Sequence, residues 1–404
     1  MAAAKVHEKV VIPSSSSNIT SSTGSEDLNR TKILFQLRQL SFPDWAKVGA
    51  RNPKELKGAH KNKASFVAWS CDGNWLATCG DDCVKVWAPE RSTDVRGAKE
   101  LKGHERPVAQ VRWDPSNPNI LASIGQDRTL RIWDNRAEND KVSVAQLPSN
   151  ALNLAFHPSS RYIAIGDRDD RVSLFDVRML GSGDSAAGAP STGSDSTTAN
   201  TRPTAVPVAL IRDVNQKGEL INEIAWTPDG RQFVLTSNTG TLSAMQSSTL
   251  LIDETSLQSA TERRLAGQAP TNVLPWRTTH SFTAHTATIF CLAMDPCGRY
   301  AASAGQDSMI GLWNTADWTS AEAGMNASAM TNSVHSLGFS GDGEFLAAGG
   351  EDAWVEILAT STMASVHRIP TPLGDTPSVA WHPWRHVLAY ASDHWNASVH
   401  IFGL

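Results

Sequence analysis

Val67-Ala68-Trp69-Ser70-Cys71-Asp72-Gly73, followed by Trp75-Leu76-Ala77-Thr78, places a small apolar run and a large ring before a polar turn and a second apolar run. The phrase returns as Val111-Arg112-Trp113-Asp114-Pro115 with Ile120-Leu121-Ala122-Ser123, and as Leu154-Ala155-Phe156-His157-Pro158. It recurs at Ile224-Ala225-Trp226-Thr227-Pro228-Asp229-Gly230, Leu292-Ala293-Met294-Asp295-Pro296, Leu337-Gly338-Phe339-Ser340 and Val379-Ala380-Trp381-His382-Pro383. Anchoring on the large residue before the turn gives positions 69, 113, 156, 226, 294, 339 and 381, with gaps of 44, 43, 70, 68, 45 and 42 residues. The two long gaps contain stretches of different character. Residues 181–200 are Gly, Ser, Ala, Thr and Asp with almost no large side chain, a flexible insert by composition. Residues 253–277 are polar and charged and lack strand alternation. With both removed, seven units of one period remain.

Each unit reads strand, turn, strand, turn, strand. In the second, Val108 to Trp113 alternates, 114–118 turns, Ile120 to Ser123 returns, Gly125-Gln126-Asp127 turns again and Thr129 to Trp133 forms a third strand. The distance from anchor to the residue closing the third strand is 18 to Trp87, 20 to Trp133, 19 each to Phe175, Met245, Trp313 and Leu358, and 21 to Phe402. A period of about 40–45 residues built this way is similar to the WD40 repeat. The fold class implied is all-β, a seven-bladed WD40 β-propeller. One such unit cannot bury both faces of its sheet, so the units must stack in a closed ring.

The chain ends suggest how the ring closes. Val399 to Phe402 is the third strand of the last unit and has no fourth strand after it. Residues 53–60, Pro-Lys-Glu-Leu-Lys-Gly-Ala-His, match 98–104, the outer strand leading into the second unit. The N-terminal strand is expected to complete the last blade. This sets the domain plan: a largely disordered extension over 1–50 and a propeller over 51–404. Within the extension, Phe42 and Trp45, or a short amphipathic helix over 33–40, are candidates for a docking arm.

His104, Ser123, Asp127 and Trp133 have the spacing of a buried hydrogen-bond set that resembles WD40 blades; His285, Ser303, Asp307 and Trp313 repeat it, and His60, Thr78, Asp82 and Trp87 do so with one residue missing. Ser, His and Asp together invite a catalytic reading. Recurrence in three blades argues against it, because an active site is not built in triplicate; the expectation is no enzyme and no catalytic residues. Blade four, with Ser237-Asn238-Thr239-Gly240 at the corresponding turn, is expected to be the loosest.

Cys71, Cys79, Cys83, Cys291 and Cys297 are odd in number, and Cys79-x-x-x-Cys83 has no second Cys or His pair at zinc-finger spacing, so no metal or other cofactor is expected. No run approaches 18 apolar residues, so no membrane partner is implied; the N-terminus has no secretory signal, and the tripeptides at Asn18, Asn29, Asn326 and Asn396 read as chance glycosylation matches in a reducing interior. A formal net charge of −5 gives no global attraction to nucleic acid. Locally, Arg51, Lys54, Lys57, Lys61 and Lys63 stand against the single acid Glu55. These lysines guard an outer strand against edge pairing, or alternatively meet RNA phosphates. Trp354, Trp384 and Trp395 sit at or near turns and are candidates for partner contact or base stacking.

Several phrases go beyond the general repeat. Val67 to Gly80, Ile221 to Gly230 with Phe233 to Leu242, Phe290 to Gly305, and the ending built from Ser378 to Pro383, Leu388 to Ala391 and Val399 to Leu404 resemble, in this order, the subunit-3 family of the THO complex. The resemblance spans roughly 54–404 and leaves 1–50 and both inserts outside it. It implies a non-catalytic nuclear scaffold in transcription-coupled packaging and export of messenger RNA. Its partners would be other THO complex subunits, with weak or indirect RNA contact and no small-molecule substrate. It assigns no contact residues. A WD40 adaptor of another assembly, a chromatin reader or a ubiquitin-ligase substrate receptor, is the alternative.

Overall fold

In the computed structural model, the described residues are 52–56, 58–81, 83–137, 142–180, 209–212, 219–247, 276–326, 330–371, 375–392 and 398–403. They form seven four-stranded antiparallel sheets. Blade one runs Ala64–Trp69, Leu76–Gly80, Cys83–Trp87 and Lys99–Lys102 from its first strand outward. Blades two to six repeat this order, their first strands being Val108–Trp113, Ala151–Phe156, Ile221–Trp226, Ile289–Met294 and Val334–Phe339. In blade seven, Val379–Trp381, Leu388–Ala391 and Val399–Phe402 are joined by Lys54–Leu56. Helix among the described residues is limited to Val177–Leu180 and a 3-10 turn at Val95–Gly97.

The strand register explains the constant anchor spacing. Trp69 pairs with Leu76, and Leu76 with Trp87. Trp113, Leu121 and Trp133 make the same row across blade two. Phe156–Ile163–Phe175, Trp226–Phe233–Met245, Met294–Ala301–Trp313, Phe339–Leu346–Leu358 and Trp381–Leu388–Phe402 complete the series. Each anchor and its closing residue flank one residue of the middle strand, so two hairpins of nearly fixed length set the count. Both inserts fall between third and fourth strands, outside this row. Trp276 and Arg277, at the end of the second insert as read from sequence, instead begin the outer strand Trp276–Thr283 of blade four.

The apolar interior consists of seven layers, one between each pair of neighbouring blades. Ala77, Val84 and Leu101 of blade one meet Val111, Trp113 and Leu121 of blade two. Tyr162, Val172 and Leu174 of blade three meet Ile224, Trp226 and Phe233 of blade four. Middle strands such as Leu76–Gly80 and Tyr162–Asp167 are buried along their whole length, because a neighbouring blade covers each face. The layer between blades seven and one contains Leu56 and Ala59 beside Val67, Trp87, Val399 and Ile401.

Closure therefore uses both hydrogen bonds and burial. Lys54 pairs with Ile401, Glu55 with His400 and Leu56 with Val399. Leu56 has no exposed surface. Leu56→Ala is expected to lower the unfolding free energy by about 2–5 kcal/mol, the range for emptying a buried leucine site; urea denaturation of the full chain measures it.

Candidate functional site

The seven first strands are sheet edges that face one another around the axis, and they enclose a cavity of about 410 Å³. Six of them carry a register shift at one equivalent place, skipping Ser65, Ala109, Leu152, Asn222, Phe290 and His335. A bulge bends and twists its strand, which suits strands converging on an axis. Near this level, side chains tie several blades to their neighbours. Gln110 accepts from the Leu154 N–H at 2.6 Å, Ser336 Oγ from Val379 N–H at 3.0 Å and Ser378 Oγ from Val67 N–H at 3.1 Å.

The anchors supply a second tie. Trp113 Nε1 donates to Ala68 O at 3.0 Å, Trp381 Nε1 to Gly338 O at 3.0 Å, and Trp69 Nε1 to Ala380 O at 3.2 Å. In each case the acceptor is the residue just before the preceding blade's anchor, and a small residue there lets the indole approach. Trp226 is the exception. It is buried in an aromatic cluster with His157, Phe233 and Trp276, and its indole N–H has no acceptor.

That small-residue position lines the axial cavity in all seven blades: Ala68, Ala155, Ala225, Ala293, Gly338 and Ala380, with Arg112 in blade two. The Arg112 guanidinium lies over the Phe66 ring at 4.4 Å. Across the cavity, Glu223 accepts from its own strand at Ile224 N–H, 3.2 Å away. Burial pushes the Glu223 carboxyl up, opposed by the positive charge of Arg112; burial likewise draws Arg112 down, opposed by Glu223.

The histidine sets at blades two and five are complete. His104 Nε2 lies 2.7 Å from Ser123 Oγ, which accepts from Trp133 Nε1 at 2.8 Å, while Nδ1 meets Asp127 at 3.0 Å. His285 makes the same contacts with Ser303 at 2.8 Å and Asp307 at 3.0 Å, and Trp313 donates to Ser303 at 2.8 Å. Burial works against ionisation of Asp127, but hydrogen bonds from His104 and Thr129 outweigh it and hold the carboxyl far below the usual range. His104 and His285 are both buried. In blade one, His60 and Trp87 share Thr78 Oγ1, each at 3.0 Å, and Asp82 lies outside the described residues. Asp81 accepts there from Lys61 N–H at 2.7 Å, as Asp127 does from Glu105 and Asp307 from Thr286. His60 Nδ1 is left buried without a partner. In blade four, Ser237, Thr239 and Thr241 hydroxyls form a short chain where blades two and five have Ser and Asp.

The remaining candidates are scattered. Lys54 is exposed on the closing strand, and Lys61 and Lys63 are exposed in the turn after it; Arg51, Lys57 and Trp395 lie outside the described residues, as do 1–50 with Phe42, Trp45 and 33–40. Trp354 is half-buried; its indole donates to the buried Glu356 at 3.0 Å, and Arg368 covers its ring at 5.0 Å. Trp384 is 36% exposed, yet its indole donates to Cys71 O at 2.9 Å across the seam between blades seven and one, beside the Arg385–Glu90 ion pair. Cys79 and Cys83 are buried beside the apolar layer between blades one and two, and burial pushes the Cys79 thiol well up.

Five stretches match the model for the WD domain, G-beta repeat: residues 53–88, 97–134, 143–176, 276–314 and 326–357. The chain is a seven-bladed β-propeller, and those five stretches carry the WD40 repeat pattern. The first three strands of blades four and seven fall outside those matches. The chain is 29% identical over 342 residues to THO complex subunit 3 of Arabidopsis thaliana, covering 84% of this chain and 89% of that protein. It is 24% identical over 372 residues to WD repeat-containing protein AAC3 of Dictyostelium discoideum, covering 85% of this chain and 65% of that protein. In structure it is similar to the β-propeller domain of Myceliophteria thermophila Cps50 (Swd1), with a TM-score of 0.64, 16% identity, and coverage of 87% and 99%.

Two expected outcomes follow from this geometry. Trp113→Phe and Trp381→Phe each lose an inter-blade hydrogen bond and should destabilise by about 1 kcal/mol. Trp226→Phe removes a donor with no acceptor and should fall below about 0.5 kcal/mol; urea denaturation of the three variants separates them. The second concerns pH. Burial, helped by Lys85 and Arg385 respectively, draws His60 and His382 down from 6.5 to about 4. Below 6.5 the unfolded chain takes up these protons before the folded one does, so their contribution is complete above that value and is lost as pH falls towards 4. Each contributes a slope of up to about 1.4 kcal/mol per pH unit. Unfolding titrations between about pH 7 and about 4.5 should show this slope, and His382→Gln should flatten it.

Proposed function

We propose that this chain is a non-catalytic scaffold subunit of a THO complex, acting in the nucleus through protein contacts that couple transcription to the packaging and export of messenger RNA. The observation that carries the reading is the similarity to THO complex subunit 3, which runs through most of both chains. The architecture supports the non-catalytic part. The Ser-His-Asp groupings recur as buried ties inside blades, with His104 and His285 each hydrogen-bonded on both ring nitrogens. A rigid ring with many loops and a sheet edge on each blade is suited to holding several partners at once. Its partners in this reading are other THO subunits. RNA is held chiefly by those neighbours, and the exposed Lys54, Lys61 and Lys63 add a weak, salt-sensitive attraction.

Affinity purification of the tagged full chain from nuclear extract, read by quantitative mass spectrometry, should recover the other THO subunits. A ubiquitin-ligase adaptor or chromatin complex recovered in their place would overturn the proposal.

A further inference from the structure

Arg112 breaks the rule that its position obeys elsewhere around the axis. The equivalent residues are Ala68, Ala155, Ala225, Ala293, Gly338 and Ala380, so nothing in the blade architecture calls for a long cation there. Its guanidinium has a ring face beneath it but makes neither hydrogen bond nor ion pair among the described residues. Glu223 is near enough to feel its charge, yet no ion pair within 4.0 Å joins them, and Glu223 takes a backbone N–H of its own blade. Arg112 is only partly buried and lines the cavity, so its N–H donors are left for water or for a ligand that enters there.

We infer that the axial cavity is a recognition site for a carboxylate carried by an extended polypeptide, with Arg112 as the residue that grips it. The chemistry fits one planar anion. Arginine presents a rigid fork that meets a carboxylate through two parallel hydrogen bonds, and stacking on Phe66 fixes the plane of that fork. One cation with an acid opposite it suits a single negative charge, and a chain of phosphates would meet Glu223. The small residues around the cavity leave room for a slender segment. The surrounding wall favours a polypeptide in particular, since seven first strands turn a sheet edge towards the axis and supply backbone donors and acceptors. The inference is independent of membership in a THO complex.

The test uses the full chain and the probe peptide acetyl-Gly-Gly-Glu-Gly-Gly-amide, with its Gln counterpart as control. Trp69 and Trp113 line the cavity, so tryptophan fluorescence reports entry. The Glu peptide should bind about ten-fold more tightly than the Gln peptide, the factor expected from one charge-assisted contact. Arg112→Ala should abolish that preference without lowering Tm, because alanine occupies the same place in other blades. Glu223→Gln should tighten binding of the Glu peptide by removing a like charge. Equal affinity for the two peptides, or a lower Tm for Arg112→Ala, would show that Arg112 serves the fold alone and would overturn the inference. Free glutarate binding as tightly as the Glu peptide, or displacement of that peptide by oligouridylate, would also overturn it.

Discussion

Every blade of this protein is apolar on both faces, and no blade is stable until two neighbours cover it. That single constraint generates the ring. Seven inter-blade layers replace the one core of an ordinary domain, and each layer depends on the next being present. The seam between blades seven and one is the place where the constraint is hardest to meet, since the two sides come from opposite ends of the chain. It is accordingly held by several different interactions. Strand pairing over Lys54–Leu56, the buried Leu56 side chain, the Ser378 bond to Val67, the Trp69 indole and the Trp384 indole all cross it or close it.

The axis shows how a repeat carries information by departing from itself. At Ala68, Gly338 and Ala380 the small residue before the anchor lets the next blade's indole reach a backbone carbonyl. Arg112 precedes Trp113 but is followed around the ring by Phe156, which has no indole to accommodate. The long side chain sits at a place without that tie, as Ala155, Ala225 and Ala293 also do. Trp226 is the converse case, an anchor with a donor and no acceptor, in the blade whose turn also lacks the Ser–Asp pairing.

Much of the fold was legible because it rests on local pattern. The anchors mark the ends of first strands, and their constant distance to Trp87, Trp133 and the others records two consecutive hairpins. The match between 53–60 and 98–104 pointed to the closing strand for a similar reason, since both segments are fourth strands with one leucine turned inward. What stayed hidden depends on three dimensions. The bulges leave no residue signature, being skipped at Ser, Ala, Leu, Asn, Phe and His alike. In blade one Asp81 accepts from the Lys61 N–H, a contact that spacing alone does not single out, while Asp82 lies outside the described residues. The row of small residues before the anchors was visible in the sequence, but its meaning required knowing that the position lines an axis.

Closure by a borrowed strand also shapes how the protein comes into being. Leu56 is among the first propeller residues to leave the ribosome, whereas Val399, its strand partner, is among the last. Throughout synthesis the growing arc of blades has two unfinished ends, each with an apolar sheet face and open backbone groups. Pairing elements so distant in the chain is slow, because the loop entropy must be met before any contact rewards it. Until those ends meet, the open arc is the form of this chain most prone to associate with its own copies.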